Sequence, residues 1–206
     1  MINLAAFASG RGSNFSAILN YLLEHSIPAR YVLVVSDRSH PPVADLALAK
    51  GIPFLHLNPM AFPEPEEYVT RLIGELDSHS VEWITLAGYL KLIPSAVVEH
   101  FRGRMLNIHP ALLPLFGGPG MYGEHVHRAV IESGMKVSGA TVHIVDEEFD
   151  RGPIVVQETV PVHFEDTPET LAQRVLEVEH RIYPRAVELA AFDKIRIHGR
   201  RVEILP

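Results

Sequence analysis

Three short stretches carry residue types that could do chemistry together. In LNIHPALLP (106–114), Asn107 and His109 stand two positions apart. Residues at that spacing share one face of an extended strand. Pro110 biases His109 toward extended backbone and ends regular structure beyond it. An amide donor and an imidazole then lie side by side at a strand's end. Taken alone, the pair also reads as an Asn serving local backbone beside a half-buried histidine.

The second stretch, VDEEFDRGP (145–153), places Asp146, Glu147, Glu148 and Asp150 ahead of a Gly-Pro turn. A run of acids is usually a solvated loop. If one acid folds back on a histidine, its charge favours the imidazolium and raises the ring's pKa. An Asn, a protonated His and an Asp suit one task, which is stabilising an oxyanion and moving protons during acyl transfer. The chain has no cysteine and no G-x-S-x-G elbow. Direct attack by a substrate amine or by water therefore fits better than a covalent enzyme intermediate. A metal centre is not expected. On a helix over about 123–134, His125 and His127 lie about 200° apart and cannot share a ligand face. His125, His127, His143 and the acids are the groups that could suggest one.

The third stretch is the turn SGRGSN (9–14), which follows an apolar run and opens a helical pattern. Gly10 and Gly12 can take positive φ and let a ligand approach the backbone, and Ser13 or Asn14 can cap the helix or donate to an anion. Such a turn is a natural phosphate site. It also reads as a tight turn with no ligand. It departs from the dinucleotide fingerprint because Phe15 stands in place of a third glycine, and from the P-loop because no Lys follows Gly12. A dinucleotide would need Asp37, at the end of the second strand, as its ribose acceptor.

The elements that must position these residues alternate. Apolar runs at 2–8 and 31–36 read as buried parallel strands flanking a helix in SNFSAILNYLLEH, where Phe15, Ile18, Leu19, Leu22 and Leu23 keep helical spacing. A helix in PPVADLALAKG closed by Gly51, a short strand PFLHL, a proline-rich loop at 59–65, a helix in EPEEYVTRLIGELDSH and a strand VEWITLAG follow. This predicts an α/β fold with an open, mostly parallel twisted sheet and helices on both faces. SGATVHIVD and PIVVQETVPV predict a meander. Thr167 predicts the N-cap of a long helix, with Glu169 or Thr170 in its first turn. His198-Gly199 predicts the turn of a terminal antiparallel hairpin over 193–206. One domain over 1–206 is expected, with halves at 1–105 and 106–192.

The whole-chain properties of the 206 residues bound the partners. A net charge of −7 argues against broad nucleic-acid binding. No apolar run reaches the roughly 18 residues of a membrane helix, the N-terminus has no basic n-region, and the absence of cysteine suits a reducing cytoplasm.

Together with LAGYLKLI (86–93) and EHRIYP (179–184), the three stretches resemble the folate-dependent formyltransferases over residues 2 to about 192. The resemblance implies a Rossmann-like fold and transfer of formyl from 10-formyltetrahydrofolate to the amine of glycinamide ribonucleotide, with no metal. It implies Asn107, His109 and Asp150 as the catalytic trio and Gly12, Ser13 and Asn14 as the cradle for the substrate phosphate. Glu179 falls near the acceptor ribose. The folate falls to the segment Asp146, Glu147, Glu148, Phe149 and Asp150, and to Leu90, Lys91, Leu92, Ile93, Val98 and Leu106. A homodimer is compatible with it. The chain departs from some relatives at Pro65 and Lys91, where they carry Arg, and its loop FGGPGMYGEHVHR is longer than in many. Formyltetrahydrofolate hydrolysis, formylation of another amine and non-catalytic binding of a phosphometabolite are the alternatives. The hydrolases usually carry an extra N-terminal domain, and the transfer-RNA formyltransferases an extra C-terminal one.

Overall fold

The computed structural model describes residues 1–206. The chain divides into two compact units, Met1–Leu106 and Asn107–Pro206. A seven-stranded sheet has the strand order Phe54–His56, Ala29–Ser36, Ile2–Phe7, Trp83–Leu86, Met105–His109, Val137–Ile144, Ile154–Pro161. The expected mostly parallel α/β sheet is what the chain forms.

In the first unit, β1 (Ile2–Phe7), α1 (Ser13–Glu24), β2 (Ala29–Ser36), α2 (Pro42–Ala49), β3 (Phe54–His56), α3 (Pro65–Ser78) and β4 (Trp83–Leu86) succeed one another. β1 pairs in parallel with β2 and β4, and β2 in parallel with β3. Leu4 to Phe7 are all buried, which explains why the strand reads as a continuous apolar run rather than an alternation. Two local features escaped sequence reasoning. The proline-rich stretch at 59–65 contains one turn of 3₁₀ helix, Pro59–Ala61, opened by the Asn58 side chain accepting from Met60 N–H. A short helix, α4 (Ser95–His100), buries Val97 and Val98.

β5 (Met105–His109) carries the boundary between the units. In the second unit, α5 (Glu124–Glu132), β6 (Val137–Ile144), β7 (Ile154–Pro161) and α6 (Pro168–Ala191) follow. β6 and β7 pair antiparallel, as the meander predicts. Thr167 caps α6 by accepting from Thr170 N–H at 3.3 Å, while Thr170 Oγ1 accepts from Thr167 N–H at 3.0 Å. This reciprocal box satisfies two otherwise orphaned donors. The terminal hairpin forms as β8 (Ile195–His198) and β9 (Arg201–Ile204).

A buried polar network fixes the turn that follows β5. Thr141 Oγ1 donates to the Ala111 carbonyl at 2.6 Å and accepts from Leu113 N–H at 3.1 Å and from Gln157 Nε2 at 2.9 Å. Gln157 Nε2 also donates to the Leu113 carbonyl at 2.8 Å. Backbone groups in a proline-ended turn have no ladder partners, so side chains must supply them. These do so beside His109.

Candidate active site

The second unit gathers Asn107, His109 and Asp150. Asn107 and His109 follow the strand period of β5. Asp150 arrives on the bend after β6, with φ +55, a left-handed conformation that Asp tolerates better than most residues. His109 Nδ1 lies 3.4 Å from Asp150 Oδ2. Asn107 Nδ2 donates to Asp150 Oδ1 at 3.4 Å. The other oxygen of Asp150 accepts from Gly118 N–H at 2.9 Å.

Gly152 lets this bend close. A Cβ at that position would overlap the Ile144 carbonyl oxygen and lie 3.3 Å from His143 Nδ1. No rotamer change relieves an overlap with backbone. Gly152→Ala should therefore destabilise the fold by about 1–3 kcal/mol and lower kcat, read by urea unfolding and turnover. Wild-type values for both would show that the bend tolerates a side chain.

His143 is the residue that sequence reasoning missed as part of this cluster. Its Nδ1 lies 2.9 Å from the Ile144 carbonyl, so Nδ1 holds the hydrogen and donates. Nε2 then accepts from Asn107 Nδ2 at 3.1 Å and lies 3.6 Å from Asp150 Oδ1. A signal was available: His143 stands two residues after Thr141 on β6, as His109 stands two after Asn107 on β5.

The electrostatics correct one expectation. A carboxylate partner was expected to raise the His109 pKa. Burial of the ring, which is 3% exposed, outweighs that effect and holds His109 below its ordinary value. Asp150 and the Phe116 carbonyl, which accepts from Nε2 at 2.8 Å, act in the opposite direction. His109 is thus largely neutral at pH 7. Burial also works against the Asp150 charge, but His143, His109 and the Gly118 N–H together hold the carboxyl below its usual range, so it is ionised. His127, on α5, is buried and held down to about 4, by desolvation first and by His109 second. His125 is exposed, as the separate helix faces of the two histidines require.

In the first unit the glycine turn behaves in part as anticipated. Gly12 has φ +73 and is the N-cap of α1; a Cβ there would sit 2.5 Å from Val43 Cγ2. Gly10 does not take positive φ. Neither Ser13 nor Asn14 caps the helix; both lie in its first turn, Ser13 exposed and Asn14 buried. The cap is a left-handed glycine with no side-chain bond, and no acid lies in the first turn. The N-terminus therefore presents its dipole without a competing carboxylate.

The residues that the resemblance implies for folate divide by burial. Leu90, Lys91 and Leu92 are exposed, whereas Ile93, Val98 and Leu106 are buried. Asp146 and Asp150 are half-buried, and Glu147, Glu148 and Phe149 are exposed. Asp146 Oδ1 accepts from Glu148 N–H at 3.1 Å, which turns the acidic segment on itself. Glu179 is buried on α6. Pro65 is the first residue of α3, where a missing N–H costs nothing.

The family profile described as formyl transferase matches residues 2–187. The chain belongs to the formyl transferase family. Among members of this family, the chloroplastic phosphoribosylglycinamide formyltransferase of Arabidopsis thaliana is 45% identical over 94% of this chain. The chain spans 66% of that plant protein's length. The phosphoribosylglycinamide formyltransferase of Bacillus subtilis is 38% identical, over 91% of this chain and 94% of its own. The crystal structure of glycinamide ribonucleotide transformylase 1 from Symbiobacterium toebii superposes with a TM-score of 0.93 at 41% identity, covering 100% of this chain and 95% of that one. No helix of this formyl transferase is long and apolar enough to cross a membrane.

Proposed function

We propose that this formyl transferase moves the formyl group of 10-formyltetrahydrofolate to the amine of 5′-phosphoribosylglycinamide, giving formylglycinamide ribonucleotide and tetrahydrofolate in purine synthesis. The observation that carries the reading is the cluster of Asn107, His109 and ionised Asp150, held together without a nucleophile of its own. The names of the relatives supply the acceptor and the group transferred, and the folate donor is what the family resemblance implies.

The neutral amine attacks the formyl carbon, and the carbonyl electron pair moves onto oxygen. Asn107 Nδ2 keeps its bond to His143 Nε2 and turns the hydrogen of its long 3.4 Å contact with Asp150 onto that oxyanion. Neutral His109, whose Nε2–H is donated to the Phe116 carbonyl, takes the proton of the attacking nitrogen on Nδ1 and becomes an imidazolium, which Asp150 stabilises. The C–N10 bond then breaks and His109 returns the proton to N10 of the folate. A ring held below its ordinary pKa suits this order, because it must act as a base first. Its 3.4 Å distance to Asp150 is long, as catalytic contacts often are before substrate binds. Ser13, Asn14 and the Gly12 backbone hold the acceptor phosphate at the start of α1. The pterin lies along residues 146–150.

The test follows the absorbance change on folate deformylation with and without glycinamide ribonucleotide. Turnover that requires the acceptor is expected. Acceptor-independent turnover would mean hydrolysis, and none at all would mean a binder. Ser13→Ala should raise the acceptor KM several-fold and leave the folate KM unchanged. A change confined to the folate KM would remove the phosphate-cradle assignment.

A further inference from the structure

Ser9 and Asp37 stand at the C-terminal ends of β1 and β2, next to the glycine turn, and the mechanism above does not use them. Ser9 is 2% exposed, and its Oγ donates to Asp37 Oδ1 at 2.6 Å. Its backbone N–H donates to the Gly88 carbonyl at 3.2 Å, just beyond β4. One residue thus ties together the ends of three neighbouring strands, in the order β2-β1-β4.

Two phenols complete the cluster. Tyr68 OH lies 3.4 Å from Tyr89 OH, and the Tyr89 ring packs edge-on against Phe7 with centroids 5.4 Å apart. Burial raises the pKa of both phenols, and the nearby Asp37 charge adds to the effect. In dinucleotide folds an acid at this strand end reads ribose hydroxyls. Here its Oδ1 is already taken by the serine that begins the glycine turn.

We infer that Ser9 and Asp37 are a positioning pair that fixes the entry of the 9–14 turn, and so the phosphate-binding geometry of residues 12–14. The inference rests on the phosphate-cradle reading of that turn. Hydrogen bonds to an ionised acceptor are among the strong ones. Ser9 Oγ is buried, so losing its acceptor leaves a buried hydroxyl unpaired and frees the turn's first residue. Gly10 transmits the change directly, since its carbonyl accepts from Val43 N–H at 3.2 Å and Val43 abuts Gly12.

The experiment compares Ser9→Ala, Asp37→Ala and Asp37→Asn with the Ser13→Ala cradle variant, in steady-state kinetics with each substrate varied. Ser9→Ala and Asp37→Ala should raise the acceptor KM by about tenfold, with kcat and the folate KM within about twofold of wild type. Asp37→Asn keeps an oxygen acceptor for Ser9 and should recover most of the loss. If Ser13→Ala raises the acceptor KM but Ser9→Ala and Asp37→Ala do not, the pair is not a positioning device. A parallel fall in kcat and in both affinities, unrelieved by Asp37→Asn, would reduce the pair to general stability and overturn the inference. If Ser13→Ala also leaves the acceptor KM unchanged, the cradle reading fails and this inference falls with it. Melting temperatures of all four variants separate local from global effects.

Discussion

Asn107→Ala is expected to lower kcat by about 10²–10³-fold, the usual cost of removing one preorganised oxyanion donor. The donor is Asn107 Nδ2, placed by β5 and held by His143 Nε2, with the hydrogen of its long contact to Asp150 Oδ1 free to turn to the oxyanion. An interaction that strengthens only as charge develops on the formyl oxygen affects kcat more than KM. His109→Ala should produce a loss of the same order, because the proton of the attacking amine then has no base within reach. The two losses should not add, since both groups serve one intermediate. Steady-state kinetics with each substrate varied, beside a melting curve, gives the answer. Near-wild-type turnover in either variant, or a loss expressed only in KM, would remove the pair from the chemistry.

Asp150→Asn combines a rate effect with a pH effect of definite sign. Asp150 raises the His109 pKa against the dominant pull of burial. Removing its charge leaves burial less opposed, so His109 should titrate lower still. Because the proposed base is neutral His109, kcat/KM falls as pH drops through the pKa of that ring. The acid limb should therefore move to lower pH in the variant. Turnover should also fall by roughly 10²–10⁴-fold, the range for impaired proton transfer, since the imidazolium loses its counter-charge. A limb that moves to higher pH would contradict the assignment of Asp150 as the partner of His109. A rate close to wild type would contradict its part in the reaction.

Much of this site could be read from residue types and spacing. Asn107 and His109 obey the period of two, and a Gly-Pro pair marks the bend that brings Asp150 back. The β6–β7 meander, the Thr167 cap and the terminal hairpin follow from alternation, capping chemistry and a His-Gly turn. What stayed hidden depends on backbone atoms or on burial. The Phe116 carbonyl and the Gly118 N–H are partners that no side-chain pattern reveals. His143 joins the cluster only once β6 is placed and its other nitrogen is taken by the Ile144 carbonyl. The direction of the His109 shift required knowing how much water the ring has lost. At the glycine turn, Ser13 and Asn14 looked like caps, because Ser and Asn usually are. A left-handed Gly12 fills that position instead and moves both side chains into the helix.

The buried His127 has a consequence for the whole molecule. An unfolded chain protonates this ring near its ordinary value of about 6.5, whereas the native state waits until about 4. Above the upper value both forms are neutral and nothing is lost. As acidity increases through the interval, the unfolded ensemble gains a proton that the folded one refuses, and His109 adds to the imbalance in the same sense. Linkage then drains on the order of 2–3 kcal/mol from the native state through His127 alone, a sizeable part of the stability of an ordinary domain. The dry surroundings that keep His109 a base at neutral pH also raise the lowest pH at which the fold persists.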